Sequence, residues 1–130
     1  MPTSANGDAI RELYELARHG KREEVRRRLH DDASWHPARE GAWKPCLDAD
    51  EVLRTLLWRA GMNRIRPADT VDLGARVVVQ LRGRGMDRLG AKGLFPRLFQ
   101  IVVFRDGKVA SIQDYPRRED AFAAAGLRVG

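Results

Sequence analysis

The strongest constraint on the fold lies in the last third of the chain, where two apolar segments flank a short turn. Residues 98–104 and 108–115 have the β-branched and aromatic content of strands, and the turn at 105–107 lies between them. A three-residue loop that ends on glycine is typical of a type I turn followed by a bulge, with Gly107 at positive φ. The pattern therefore predicts a long β-hairpin.

The predicted register divides this hairpin into two faces. If Phe104 pairs with Lys108, then Leu98 lies opposite Asp114, and the acid shares a largely apolar face. That face comprises Leu98, Gln100, Val102, Phe104, Ala110, Ile112 and Asp114. The opposite face comprises Phe99, Ile101, Val103, Val109, Ser111, Gln113 and Tyr115. Because neither face can be left in water, we expect the chain's helices to cover one and a second subunit of a homodimer to cover the other.

Length and composition bound the class of protein. The chain has 130 residues, of which 43% are hydrophobic, enough for one domain with a core but with no apolar run that could cross a bilayer. The N-terminus lacks the basic start and apolar stretch of a secretory signal, so we expect a cytoplasmic location. Cys46 has no second cysteine, and the three histidines are scattered. We therefore expect no internal disulfide, no metal site and no cofactor.

The net charge of +6 raises the question of nucleic acid as a partner. The basic residues are spread along the chain, with local concentrations only at 21–28 and 82–84. Glutamates interrupt the first of these, and no aromatic residues alternate with the arginines to stack on bases. A nucleic-acid partner is therefore not expected.

The order of the helical and strand patterns predicts an α+β fold. Apolar residues at helical spacing predict helices over 8–19, 21–30, about 48–60 and 117–125. Strand patterns cover 33–36, 65–73, 76–82, 95–104 and 108–115, with a glycine-rich, mobile connection at 83–93. Helices first and an antiparallel meander last favour helices packed on one face of a curved sheet. We expect a flexible N-terminus over 1–7 and a single domain over 8–127.

Two segments of the chain resemble a known family. They are His-Asp-Asp-Ala-Ser-Trp-His-Pro at 30–37, and Phe-Arg-Asp-Gly-Lys-Val at 104–109 followed by Gln-Asp-Tyr at 113–115. Together with the order of elements over about 10–127, they resemble the SnoaL-like branch of the nuclear transport factor 2-like superfamily. The resemblance implies a cone in which a curved mixed or antiparallel sheet wraps around the N-terminal helices and encloses an apolar cavity. Many members pair through the outer sheet face.

The superfamily includes ketosteroid isomerases, polyketide cyclases and limonene epoxide hydrolase, besides members that only bind ligands, so the fold does not decide the function. The resemblance places Asp114 where the cyclases and the epoxide hydrolase keep an acid–base carboxylate. It places His36, before a proline, at the general base of ketosteroid isomerase, and Gln100 in that enzyme's oxyanion hole. Tyr14 is one residue nearer its helix end than the catalytic tyrosine of that enzyme, and the arginines of 76–82 lack an acid at alternate spacing. Steroid isomerisation and epoxide opening are therefore not expected.

These residues predict a binding cavity. A carboxyl in apolar surroundings has a raised pKa and can exchange a proton near neutrality, so we assign proton transfer to Asp114 and a second acid–base or orienting role to His36. The predicted lining comprises Gln100, Tyr14, Trp35, Ile112 and Val102. The chain is interpreted as a cofactor-independent enzyme of isomerase or cyclase type that acts on an apolar carbonyl compound. Two alternatives stay open: Asp114 paired structurally with Arg117 or Arg118, and a non-catalytic ligand-binding or dimerisation module.

Overall fold

The computed structural model of the chain describes residues 5–62, 64–83 and 98–127. The helices are α1 (Ala5–Arg18), α2 (Arg22–Arg27), α3 (Ala49–Leu57), which a π-helical segment (Trp58–Met62) continues, and α4 (Arg118–Ala124). The strands are β1 (Leu29–His36), β2 (Arg66–Asp72), β3 (Arg76–Arg82), β4 (Leu98–Arg105) and β5 (Lys108–Tyr115). Apart from Gly83, the predicted connection at 83–93 lies outside the described residues, as do residues 95–97 of the fourth predicted strand. No helix within the described ranges is long and apolar enough to span a membrane.

The five strands form one mixed sheet in the order β1-β5-β4-β3-β2. β1 runs parallel to β5, and the other neighbouring pairs are antiparallel. The register shifts within three of the four pairs, β1 with β5, β2 with β3 and β4 with β5. Such irregularities bend and twist strands, which fits a curved sheet. The predicted α+β fold is confirmed, with α1 and α3 packed against the sheet.

The turn of the β4–β5 hairpin differs from the predicted one. Arg105 pairs with Lys108, so the loop has two residues and not three. Asp106 and Gly107 both have positive φ, 54° and 77°. This is the backbone of a type I′ turn, whose twist matches that of the flanking strands and which Asp-Gly favours. This turn shifts the pairing by one residue from the predicted register, and the bulge described next shifts it by one more, so Gln100, and not Leu98, lies opposite Asp114.

A β-bulge near this turn changes which side chains share a face. Val103 pairs with Ser111 and Phe104 with Val109, which leaves Ala110 as the extra residue. Because one extra residue reverses the alternation, Val109 packs with Phe104 in the core beneath the helices, and its predicted place on the outer face is wrong. Beyond the bulge, the inner face carries Leu98, Gln100, Val102, Ile112 and Asp114, as predicted.

Helix α1 begins earlier than its apolar spacing predicts. The Asp72 carboxylate at the end of β2 accepts hydrogen bonds from the backbone N–H groups of Asn6 and Gly7, each at 3.1 Å. A carboxylate from another element thus satisfies donors that a helix start leaves without partners. Residues 5–7, which the sequence assigns to the N-terminal segment, are therefore helical.

The outer face of the sheet is covered in part by the chain itself. Ala121 and Ala125 pack against Phe99 and Ile101, which are only 5% and 7% exposed. The partly buried apolar residues around this cluster are Val71, Leu73, Val103, Tyr115, Phe122 and Leu127. The cover assigned to a second subunit is therefore supplied in part by α4, and the homodimer stays a prediction with a smaller apolar surface to support it.

Candidate functional site: a buried carboxylate and its donors

Asp114 is fully buried on the inner face of β5 and accepts hydrogen bonds from three side chains. Its Oδ1 accepts from Trp35 Nε1 at 2.8 Å and from Gln100 Nε2 at 2.9 Å. Its Oδ2 accepts from Arg59 Nη1 at 3.1 Å. The donors come from β1, from β4 and from the π-helical segment, so sheet and helices together determine where the carboxylate lies.

Strand pairing explains how two of these donors reach the acid. Gln100 lies directly opposite Asp114 across the β4–β5 ladder, and opposite residues present their side chains on the same face. Trp35 of β1 pairs with Ile112, two residues before Asp114 on the same face of β5. The indole of Trp35 is fully buried and spans the distance along the strand to the carboxylate.

Tyr14 joins the cluster from α1. Its hydroxyl donates to Gln100 Oε1 at 3.0 Å, while the amide nitrogen of Gln100 donates to Asp114. Burial raises the pKa of Tyr14 well above its ordinary value, so the hydroxyl stays neutral and keeps donating. The structure thus brings together four residues that the sequence predicts for one site: Tyr14, Trp35, Gln100 and Asp114.

The two apolar residues of the predicted lining lie beside this cluster. Val102 and Ile112 pair across the β4–β5 ladder, next to the pair of Gln100 and Asp114. Both belong to the main hydrophobic core and are no more than 1% exposed. They place apolar surface against the acid.

Arg59 is the residue of this cluster that the sequence interpretation missed. It is 1% exposed, and its guanidinium carbon lies 4.3 Å from the Trp35 ring centroid and 4.9 Å from that of Trp43. A signal for it exists, since Arg59 follows Leu56 by three residues and Val52 by seven, and both are buried on the inner face of α3. Helical spacing therefore points this arginine inward. It lies in the π-helical segment, a geometry often found at functional sites.

Arg59, and neither Arg117 nor Arg118, is the cation that pairs with Asp114. Arg117 forms its ion pair with Asp120 at 3.2 Å, and Arg118 stacks on the Phe122 ring at 4.5 Å. The expectation of an arginine partner was correct in kind, but it named the wrong residues. The cation comes from the helical layer and not from the start of α4.

Two opposing effects act on the pKa of Asp114. Burial raises the pKa of Asp114 and is the dominant cause, while the Arg59 charge and the hydrogen bonds from Trp35 and Gln100 lower it. The net direction is upward, as expected for a carboxyl removed from water. The site of Asp114 therefore favours the protonated form more than the surroundings of a surface aspartate do.

His36 lies apart from the carboxylate. It follows Trp35 in β1, and successive strand residues point to opposite faces of a sheet. His36 pairs with Gln113 and lines an open pocket of about 730 Å³ with Gln113 and parts of the loop that follows β1. None of the hydrogen bonds that Asp114 makes within the described ranges involves His36. The structure does not bring these two residues together.

Trp43 connects the open pocket to the buried cluster. Its ring lines the pocket, beside Lys44. It also contacts Trp35 edge to face, with the ring centroids 6.3 Å apart, and contacts the Arg59 guanidinium. The loop after β1 thus contributes Trp43 to both the open pocket and the buried cluster.

In the part of the chain that the structure describes, no group of three His, Cys, Asp or Glu side chains is placed to hold a metal ion. No protein-family model matches the sequence, and no curated protein matches it either.

Solved structures with a similar fold are numerous. A nuclear transport factor 2-like protein of unknown function from Mesorhizobium loti superposes with a TM-score of 0.69 at 11% identity, over 90% of this chain and 97% of that chain. A candidate polyketide cyclase from Sinorhizobium meliloti gives 0.60 at 16% identity, over 87% and 99%. An epoxide hydrolase from Mycobacterium tuberculosis gives 0.63 at 15% identity, over 93% and 89%. At such identities the likeness shows the fold alone.

Proposed function

We propose that this chain, which has the nuclear transport factor 2-like fold, is a small-molecule enzyme of isomerase or cyclase type. Asp114 would move a proton to and from a largely apolar carbonyl compound. The observation that carries the proposal is the Asp114 carboxyl, which is fully buried in a core yet oriented by donors from three elements. Two proteins with a similar fold, the candidate cyclase and the epoxide hydrolase, are named for reactions on small molecules.

The proposed reaction begins with the ionised carboxyl. Asp114 removes a proton from the carbon next to the substrate carbonyl, and the electron pair of the broken C–H bond forms an enolate. In an isomerisation, the carboxylic acid returns the proton to another carbon of the conjugated system. In a cyclisation, the enolate carbon attacks a second carbonyl, and the proton passes to the new alkoxide. Atoms and electrons balance in both cases without an oxidant or a reductant.

The neighbours of Asp114 act as positioning residues in this scheme. Trp35 and Gln100 hold one carboxylate oxygen, and Arg59 holds the other. Tyr14 fixes the orientation of the Gln100 amide by donating to its oxygen. A base held in one orientation loses little freedom when the reaction begins, which is how rigid sites lower a barrier.

A non-catalytic binding protein is the second candidate, and one observation favours it. Asp114 is 0% exposed, and the three donors already satisfy both of its oxygens. A buried pair of this kind also specifies core packing without any chemistry. In that case the fold would hold an apolar molecule and leave it unchanged.

The test follows the removal of a proton next to a carbonyl. A thermal-shift screen with lipophilic ketones, lactones, steroids and polyketide-like aromatics first identifies ligands, because binding to the folded state raises its stability. The exchange of methyl hydrogens of 2-acetylnaphthalene in deuterium oxide then reports on base catalysis. We expect the wild-type protein to accelerate exchange and Asp114→Asn to reduce this by about 100-fold or more. Asp32→Asn, at an exposed aspartate paired with Arg105, is the matched control and should keep the wild-type rate.

The outcomes separate the two candidates. Full exchange activity in Asp114→Asn would refute the proposed role of the acid. Ligand-induced stabilisation without exchange in the wild-type protein would favour the binding protein. His36→Gln in the same assay tests the assignment of His36, which the proposal keeps as an orienting group in the open pocket. This variant should affect binding more than exchange.

The homodimer is proposed on the apolar residues left around α4 on the outer sheet face. Val103 and Tyr115 are partly buried there within one chain, and a second copy would bury them further. Sedimentation velocity at micromolar concentration is the direct measurement. A monomer under those conditions would contradict the dimer and would leave the proposed chemistry unaffected.

A further inference from the structure

Two buried N–H groups beside the carboxylate cluster have no acceptor among the described residues. They are Arg59 Nε and Trp43 Nε1. A buried donor without a partner is costly, and native structures contain few of them, so each calls for an explanation. The two side chains are in direct contact, with the Arg59 guanidinium carbon 4.9 Å from the Trp43 ring centroid. Two unsatisfied donors on touching side chains suit a single acceptor.

The open pocket borders Trp43 and not Arg59, and both donor nitrogens are buried, so an acceptor from the pocket reaches them only when the Trp43 side chain moves. Trp43 is part of the wall of the pocket of about 730 Å³, so a molecule held there lies against the ring that carries one of the two donors. Pro37, Ala38 and Pro45 add apolar surface to the same pocket. A flat apolar body against Trp43, with one oxygen directed inward, fits these surroundings.

The charge of the buried cluster indicates which kind of oxygen atom the ligand presents to the two donors. Arg59 is paired with Asp114 at 3.1 Å, and with the acid ionised, as the proposed reaction requires, the buried cluster is neutral as a whole. A ligand carboxylate would add a negative charge that no buried cation balances, at a high desolvation cost. An uncharged carbonyl oxygen has two lone pairs for two N–H donors and brings no net charge.

We propose that Arg59 Nε–H and Trp43 Nε1–H together bind the carbonyl oxygen of the ligand, which is an uncharged ketone, ester or lactone with a flat apolar body. The inference rests on the proposed function for the role of this oxygen in a reaction. When Asp114 takes the proton, negative charge develops on the carbonyl oxygen, and the same two donors stabilise it. The binding itself requires no catalysis and can be measured alone.

The test compares two probes that differ in one atom group. 2-Acetylnaphthalene carries a carbonyl where 2-isopropenylnaphthalene carries a C=CH₂ group of similar shape. In ¹⁵N-labelled protein, we expect the Trp43 indole and Arg59 Nε–H resonances to move downfield with the ketone and not with the alkene. Trp43→Phe keeps a ring and removes the N–H, so it should weaken ketone binding by about 5- to 10-fold and leave alkene binding nearly unchanged. Trp58→Phe, at a tryptophan that is 44% exposed, is the matched control.

Several outcomes would overturn the inference. Equal binding of ketone and alkene to the wild-type protein, or equal weakening of both by Trp43→Phe, would show that the ring acts through packing alone. Resonances that stay unmoved up to the solubility limit of the ketone would show that the donors do not take up a carbonyl. The proposed role of Asp114 is tested separately, since Asp114→Asn should lose exchange and still prefer the ketone.

Discussion

Replacing Arg59 by glutamine should make the stability of this fold strongly dependent on pH through Asp114. The Arg59 charge is the largest of the effects that lower the pKa of Asp114 against burial. In Arg59→Gln, the carboxyl keeps only the neutral donors Trp35 and Gln100. Its pKa in the folded protein then rises further above the ordinary value of 3.8, and the buried acid takes up a proton because the Arg59 charge is gone.

The sign and size of the effect follow from proton linkage. A group whose pKa is raised by folding contributes stability that is fully present below its unfolded pKa and is lost as the pH rises through its folded pKa. While the folded protein holds a proton that the unfolded chain releases, the free energy of unfolding falls by about 1.4 kcal/mol per pH unit. If the folded pKa exceeds 7, the variant loses up to about 3 kcal/mol of stability between about pH 5 and 7. The wild-type protein, in which Arg59 opposes the rise, should lose less.

Urea unfolding at about pH 5, 6 and 7 measures this dependence. The double variant Arg59→Gln/Asp114→Asn should lose the steep slope, since it lacks the titrating group. Arg26→Gln, which removes an arginine from an exposed pair with Asp31, is the control and should leave the pH dependence as in the wild type. An Arg59→Gln variant destabilised by the same amount at every pH would refute the reasoning, because its loss would then come from packing against the tryptophans and not from Asp114.

Two further predictions concern the frame of the site. Gly83→Ala should destabilise the fold by about 1–3 kcal/mol or more, because the added Cβ would lie 2.5 Å from the backbone Cα of Ile65. Gly61→Ala is the comparison, since nothing lies within 4 Å of a Cβ added there. Similar unfolding midpoints for the two variants would contradict the steric argument. Asp72→Ala removes the acceptor at the start of α1 and should cost about 1 kcal/mol in urea unfolding, whereas Asp72→Asn, which keeps an acceptor oxygen, should cost less.

The position of Asp114 could be predicted even though the predicted register was wrong. The observed pairing of Gln100 with Asp114 differs by two residues from the predicted pairing of Leu98 with Asp114. Side chains alternate with a period of two, so a shift of two residues leaves every side chain on the same face. The inner face beyond the bulge was therefore correct. Val109, between the bulge and the turn, changed sides, and Ala110, predicted on the inner face, is the unpaired extra residue, which no pattern in the sequence marks.

The coverage of the outer sheet face could not be read from the strands alone. Phe99 and Ile101 are apolar enough to require cover, but a strand pattern does not say whether that cover is a second chain or a later element of the same one. Helix α4 is short, and the small residues Ala121 within it and Ala125 just after it permit close packing on the sheet. Short helices with small apolar residues carry a weak periodic signal, and their docking depends on tertiary contacts.

The placement of His36 follows from a rule that the sequence already contained. Trp35 was predicted to line the cavity and His36 to work in it, yet neighbouring residues of one strand point to opposite faces. Once Trp35 donates to Asp114, His36 must face the other side, and it does so at the open pocket. The same reasoning applied to α3 would have found Arg59, because an arginine in register with buried Val52 and Leu56 needs a buried acid. Asp114, on the apolar face of the hairpin, was the acid available. The alternation of side chains along a strand and the helical spacing of α3 together thus identify the pair of Arg59 and Asp114, which a search for sequence motifs missed.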